Sequence, residues 1–197
     1  MAKQYTKELI KKEFLQMLET APFKEITIGK LADRCEINRN TFYYHYDDIY
    51  MLVREILQDQ LDKVDEEFKA TYSWEESLLY AVSFILDNKR AAQNMFKSID
   101  KADVDAYLHQ ICRVVMRKYV DKECALKGIL AQEEDKALIV SFYQAALAGL
   151  LEEWMEEGME ASAEAIIFRT GKLFDGNIER SLRISQALGR PRPLPKN

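Results

Sequence analysis

Helix breakers are almost missing from this chain. Only 7 of its 197 residues are Gly and 4 are Pro, and three of the prolines, Pro191, Pro193 and Pro195, sit at the extreme C-terminus. Gly and Pro are the residues a helix interior tolerates least, at about 1 and about 3 kcal/mol relative to Ala. With so few of them, long helices run uninterrupted. No alternating run of β-branched residues bounded by turn residues appears anywhere, so strands are not expected. Apolar residues make up 48% of the chain, enough for a real core. The fold class expected is all-α. The longest apolar run, Ala137 to Leu151, is broken by Ser141, Tyr143 and Gln144. It falls short of the roughly 20 apolar residues a membrane-spanning helix needs, and no membrane association is expected.

Residues 27–46, TIGKLADRCEINRNTFYYHY, carry the most information. They read as two short helices joined by a tight turn. Ile28, Leu31, Ala32 and Cys35 share one helical face, and Ile37 begins the turn. Asn38 suits the N-cap of the second helix, where its side-chain oxygen accepts an orphan backbone N–H. Phe42 and Tyr46, four apart, point inward together. Arg39, Asn40, Thr41, Tyr43, Tyr44 and His45 are then expected to face out. Six polar or aromatic-polar side chains on one short helix fit a surface laid into the DNA major groove better than a plain solvated face.

This stretch resembles the TetR family of one-component transcriptional regulators. The resemblance rests on Thr27, Ile28, Leu31, Ala32 and Ile37, on Thr41-Phe42-Tyr43 with His45-Tyr46, and on Leu52. It implies a three-helix helix-turn-helix DNA-binding head over residues 1–50 and a C-terminal helical ligand and dimerisation domain over 51–189. Two departures stand out. The family usually has Gly in the turn where this chain has Glu36, and Lys at the start of the next helix where it has Ile49. Arg39 is the first choice for reading a guanine edge, with a phosphate clamp as the alternative. Asn40 suits adenine or backbone. Thr41, Tyr43 and His45 suit phosphates by resemblance, and Tyr44 suits a thymine methyl or a sugar. With Thr27, Ile28, Lys30 and Asn38, these residues are the expected DNA-binding set.

Further along, Thr6 to Thr20 reads as the first helix, with Lys3, Lys7 and Lys11 as possible phosphate contacts. A long helix is expected from Asp47, with Leu52, Val53, Ile56, Leu57, Leu61, Val64 and Phe68 as its stripe. Ser73-Trp74-Glu75-Glu76 is a capping box. Shorter helices are expected over 90–99 and 103–122, then long ones from Glu134 to Glu157 and from Ser162 to about Leu182. Ala145, Ala146, Ala148 and Gly149 form a patch of small side chains, and Ile166, Ile167, Leu173, Phe174 and Ile178 an apolar surface facing it. By resemblance these two helices pair with their copies in a homodimer. The GLLEEWMEEG segment (149–158) resembles a C-terminal domain type of Gram-positive members, as in dihydroxyacetone kinase regulators. Family members hold a small-molecule effector in this region. Phe84, Met95, Phe96, Tyr107, Cys112, Met116, Tyr119 and Phe142 could line such a cavity, although ordinary core packing is the simpler explanation of each. Residues 190–197 read as a flexible tail.

The net charge is −5, which taken whole argues against a nucleic-acid partner, but distribution matters more than the sum. Residues 1–50 are balanced, eight Lys/Arg (3, 7, 11, 12, 24, 30, 34, 39) against eight Asp/Glu (8, 13, 19, 25, 33, 36, 47, 48), and the deficit lies in the remainder. Cys35, Cys112 and Cys124 lack metal-ligand spacing among themselves, and His45 and His109 are too far apart to form a histidine pair at helical spacing. No metal or cofactor is expected, and no catalytic motif appears. The absence of a signal peptide and of a CxxC pair suits the cytoplasm. The function expected is a homodimeric regulator, a repressor, that binds palindromic operator DNA and answers to an effector. The alternative keeps the fold as a co-activator or protein-interaction module with weak DNA binding.

Overall fold

The computed structural model describes residues 2–70, 73–98 and 101–189, and among these residues every regular element is helical. The expected tail at 190–197 lies outside them, as do the side chains of Lys3, Val64 and Phe68. The elements are α1 (Ala2–Leu18), a 3₁₀ turn (Phe23–Glu25), α2 (Ile28–Arg34), α3 (Arg39–His45) and α4 (Ile49–Ala70), followed by α5 (Trp74–Asp87), α6 (Lys89–Phe96) and α7 (Lys101–Lys127). The last three are α8 (Glu133–Glu156), α9 (Ala163–Leu173) and α10 (Asn177–Leu188). Packing divides the chain into two compact units, residues 1–63 with 80–107, and residues 64–79 with 108–197.

The first unit is built around the inward faces of α1 to α4. Ile10, Phe14, Leu18, Leu31, Phe42 and Tyr46 are buried together with Leu52, Ile56 and Ala91. α6 closes the end of α1. Asn94 Nδ2 donates to the carbonyl of Leu18 at 2.7 Å, and the Ala91 N–H donates to Glu19 Oε1 at 3.3 Å. Each bond occupies a terminal helix group that has no partner within its own helix. α4 begins at Ile49, two residues after the expected Asp47, because Asp48 serves as its cap and accepts the Met51 N–H at 2.7 Å. Ile49, where the family usually has Lys, is half-buried against this core.

In the second unit α7 and α8 are joined by Gln144, which is buried. Its Oε1 accepts from Arg113 Nε at 2.9 Å, and its Nε2 lies 2.9 Å from His109 Nδ1. With Nδ1 accepting, the His109 proton sits on Nε2, which faces Glu152 at 3.6 Å. α7 runs on to Lys127, five residues past the expected end, and stops at Gly128 with φ 62°. The single helix expected from Ser162 is two helices. The chain turns at Phe174–Gly176, where Gly176 adopts φ 71°, a conformation that ends α9 and is open to Gly at little cost. Leu173 and Phe174 are consequently exposed, while Ile167 and Ile178 are buried.

Candidate nucleic-acid interface

α2 and α3 are held by local bonds that the sequence encodes. Thr27 Oγ1 accepts the Lys30 N–H at 3.3 Å, which caps α2. Asn38 Oδ1 accepts the Thr41 N–H at 2.8 Å and the Thr41 hydroxyl at 3.1 Å, which caps α3. Between them the chain reverses through Glu36, whose φ is 54°. The Ile37 N–H reaches back to the Ala32 carbonyl at 3.0 Å and the Glu36 N–H to Asp33 at 3.2 Å. This is a Schellman closure with a non-glycine residue in the left-handed position. Behind α3 the rings of Phe42 and Tyr46 are buried with centroids 5.6 Å apart, which fixes the face that α3 turns outward.

That outward face carries Arg39, Asn40, Tyr43 and Tyr44, the two tyrosines 51% and 70% exposed. Thr27, Lys30 and Asn38 are also exposed at the surface of this unit. Thr41 and His45 are half-buried rather than fully outward. At about 100° per residue His45 flanks the inward pair, whereas the Thr41 hydroxyl is turned back onto the Asn38 cap at 3.1 Å. Ile28 is half-buried against the core and contributes packing. Lys30 Nζ is bonded to the Glu25 carbonyl at 2.9 Å. The Arg39 guanidinium lies back over α2, where only the missing side chain of Gly29 makes room. A Cβ there would sit 2.6 Å from Arg39 Nη2.

Two lysines expected near phosphate are committed elsewhere. Lys7 Nζ bonds Glu55 Oε2 at 2.6 Å, and Lys11 Nζ bonds Asp59 at 2.5 Å and Glu55 Oε1 at 2.8 Å. α4 presents this acidic pair to α1, a partner the sequence alone does not reveal. Burial alone would lower the Lys11 pKa, but the bonds to Asp59 and Glu55 raise it above the ordinary lysine value. Burial likewise would raise Glu55, and the two lysines hold it below the ordinary carboxylate value.

The expected effector residues divide between the two units. Phe84 and Met95 pack half-buried against the first unit's core, Phe96 is half-buried, and Tyr107 has a buried hydroxyl with no partner among the described residues. In the second unit Cys112 and Met116 are fully buried. Tyr119 lines a recess of about 100 Å³ with Trp74, Glu123, Lys127 and Phe174. Phe142 stands on the outer side of α8, 68% exposed, four residues from the equally exposed Leu138, so within one subunit it lines no interior. Burial pushes the Cys112 thiol up to about 12 and Cys35 up to about 11, so neither is a ready thiolate.

An all-helical chain with a capped helix-turn-helix and a separate helical unit has the form of a helix-turn-helix transcriptional regulator. Comparison with known proteins makes the assignment specific. Residues 72–176, more than half of the chain, match the TetR-type family model described as a transcriptional regulator C-terminal region. The chain belongs to the TetR family of transcriptional regulators. It is similar to the HTH-type dhaKLM operon transcriptional activator DhaS of Lactococcus lactis subsp. lactis (strain IL1403), at 21% identity over 153 residues, which span 78% of this chain and 81% of that protein. The solved structure of a dihydroxyacetone kinase operon activator DhaS shares the fold. Its TM-score is 0.75 at 19% identity, over 89% of this chain and 97% of the other. These relatives are transcriptional regulators rather than enzymes. Among the described residues no helix is long and apolar enough to cross a membrane.

Proposed function

We propose that this protein is a homodimeric regulator that binds a near-palindromic DNA operator, with α3 of each subunit entering a major groove. The observation that carries the reading is the face of α3. Arg39, Asn40, Tyr43 and Tyr44 are exposed side by side, and Phe42 and Tyr46 anchor the helix from behind. Arg39 and Asn40 are the base readers, by paired hydrogen bonds to guanine or adenine edges. Tyr43, Thr41 and His45 serve phosphates, as does the Thr27 hydroxyl, which can accept from Lys30 and still donate its own proton outward.

Dimerisation is supported by an apolar stripe on the outside of the second unit. Leu138, Phe142, Ala145, Ala146 and Gly149 are exposed along α8, as are Ile184 and Leu188 on α10. Small residues in the middle of such a stripe let a second copy of the helix approach closely. Half-sites about one helical turn apart, roughly 34–36 Å, or somewhat more, follow from two heads on one dimer. A small-molecule effector acts by binding one arrangement of the dimer better than the other. For the sign of regulation, the activator role of the Lactococcus relative favours activation over the repression expected from sequence. A promoter-reporter fusion with and without the gene decides the sign.

Selection from a random duplex library tests the central reading. Wild-type protein is expected to enrich one near-palindromic sequence, and Arg39→Ala to bind it with about 1–3 kcal/mol less free energy, some 5- to 150-fold. Enrichment of no sequence, with weak binding to any duplex, refutes DNA reading and favours the protein-interaction alternative.

A further inference from the structure

Behind the exposed face of α3 lies a charge cluster that neither core packing nor base reading requires. It joins α1, α3 and α4. Lys7 and Lys11 of α1 grip Glu55, at 2.6 and 2.8 Å, and Lys11 also holds Asp59 one turn further along α4 at 2.5 Å. The Tyr46 hydroxyl, at the C-terminal end of α3, donates at 3.3 Å to Glu55 Oε1, the oxygen that also accepts Lys11. The Lys7 ammonium also lies 5.2 Å from the centre of the Tyr46 ring. Lys11 and Tyr46 are both buried.

We propose that Glu55 is a positioning residue for the DNA-reading helix, fixing the angle of α3 through the Tyr46 hydroxyl. The inference rests on α3 being the helix that reads DNA. α3 spans seven residues, two turns, which is far too short to hold its own geometry. Apolar contact between Phe42 and the core supplies attraction, but such attraction is non-directional and lets the helix roll or slide. The Tyr46 hydroxyl adds a contact with a direction, at 3.3 Å a longer one than a strong charge-assisted bond of about 2.5–2.7 Å. Glu55 carries it because its carboxylate is itself clamped by two ammonium groups from a third helix. The anchor for Tyr46 is thus rigid in a way that a solvated carboxylate is not. Two lysines face Glu55 and Asp59 here, and Glu8 on α1 adds a third carboxylate 3.5 Å from Lys11.

Two variants separate positioning from mere stability. Glu55→Gln keeps the size of the side chain and removes its charge. Tyr46→Phe keeps the buried ring and removes only the hydroxyl, so it is expected to fold. Each full-length protein is compared with wild type for affinity at one salt concentration, using the duplex that wild type selects from a random library. Amide hydrogen exchange is followed over residues 39–46. Each variant is expected to bind about tenfold more weakly. The double variant should be no worse than the weaker single, since both changes break one link. Exchange should speed up within α3 while the core amides of α1 and α2 stay protected. Wild-type affinity and α3 exchange in Tyr46→Phe and Glu55→Gln would overturn the proposal, and so would a loss that follows a uniform rise in exchange from α1 through α4. If wild type selects no duplex, the DNA reading fails, and the exchange experiment still reports whether Glu55 positions α3.

Discussion

Glu36 occupies a place that L-residues resist, and replacing it with Gly should stabilise the first unit. Its φ of 54° lies in the left-handed region, and it forms the closure between α2 and α3. For an L-residue with a Cβ that conformation costs about 1–2 kcal/mol. Glycine has no such cost, but it loses more chain entropy on folding, about 0.5–1 kcal/mol. The difference leaves Glu36→Gly about 0.5–1 kcal/mol more stable than wild type. No offsetting contact is lost, because Glu36 is exposed on the surface. The hydrogen bonds that define the turn come from the backbone of residues 36 and 37, and they survive the change. Urea denaturation followed by helical circular dichroism measures the shift in midpoint, with Glu36→Ala as the control. Alanine keeps the Cβ and the strain, so it should leave the midpoint within a few tenths of a kcal/mol of wild type. A Glu36→Gly variant less stable than wild type, or an alanine variant equally stabilised, would refute the argument that backbone strain resides at this position.

Three further outcomes follow from the charges and the exposed stripe. Because Lys7, Lys11 and Arg34 are tied to Glu55, Asp59 and Glu13, few cations reach phosphate. The logarithmic salt slope of operator binding should therefore be shallow, about −2 to −4 per dimer, and a titration of affinity against salt reads it. Glu55 has its pKa lowered in the folded protein from the usual 4.5, with Lys7, Lys11, Asp59 and Tyr46 around it. Its stabilisation is complete above that usual value and is lost as pH falls through the folded one. Acid unfolding should therefore be less steep in Glu55→Gln, as measured by urea midpoints across the acid range. Phe142→Asp places a charge in the exposed α8 stripe and should shift the protein to monomer in sedimentation velocity without lowering its helical content.

The part of the fold that local chemistry determines was readable from the residues alone. Asn38 caps the helix it is expected to cap, and Phe42 and Tyr46 are buried as their spacing requires. The break at Gly176 was missed because the apolar pattern on either side continues through it, and only the Asp175-Gly176 pair signals a turn. The ion pairs of Lys7 and Lys11 are illegible in the sequence for a different reason. Their partners Glu55 and Asp59 lie 48 residues away, and no local pattern ties an α1 lysine to an α4 carboxylate. Phe142 was assigned to an interior because it is large and apolar, whereas its exposure depends on which face of α8 the rest of the unit covers. Of the residues expected to face the groove, Thr41 and His45 are half-buried, His45 beside the inward rings and Thr41 with its hydroxyl turned onto the Asn38 cap.

The same charges explain how a chain of net charge −5 is compatible with an interface for DNA. The first fifty residues have equal numbers of acids and bases, yet the two signs are put to different uses. On α1, Lys7 and Lys11 turn toward the carboxylates of α4, and Arg34 of α2 is paired with Glu13 at 2.9 Å. These bases stabilise the scaffold and neutralise acids that would otherwise face a phosphate backbone. What remains outward on α3 is a surface with one cation, Arg39, and a set of neutral donors, with no carboxylate between Asn38 and Tyr46. Under the proposed reading, such a surface attracts a polyanion only weakly and relies on directional hydrogen bonds for sequence choice. Specificity would then rest on how rigidly those donors are held by the two buried rings, the two short caps and, as proposed, the Tyr46–Glu55 contact.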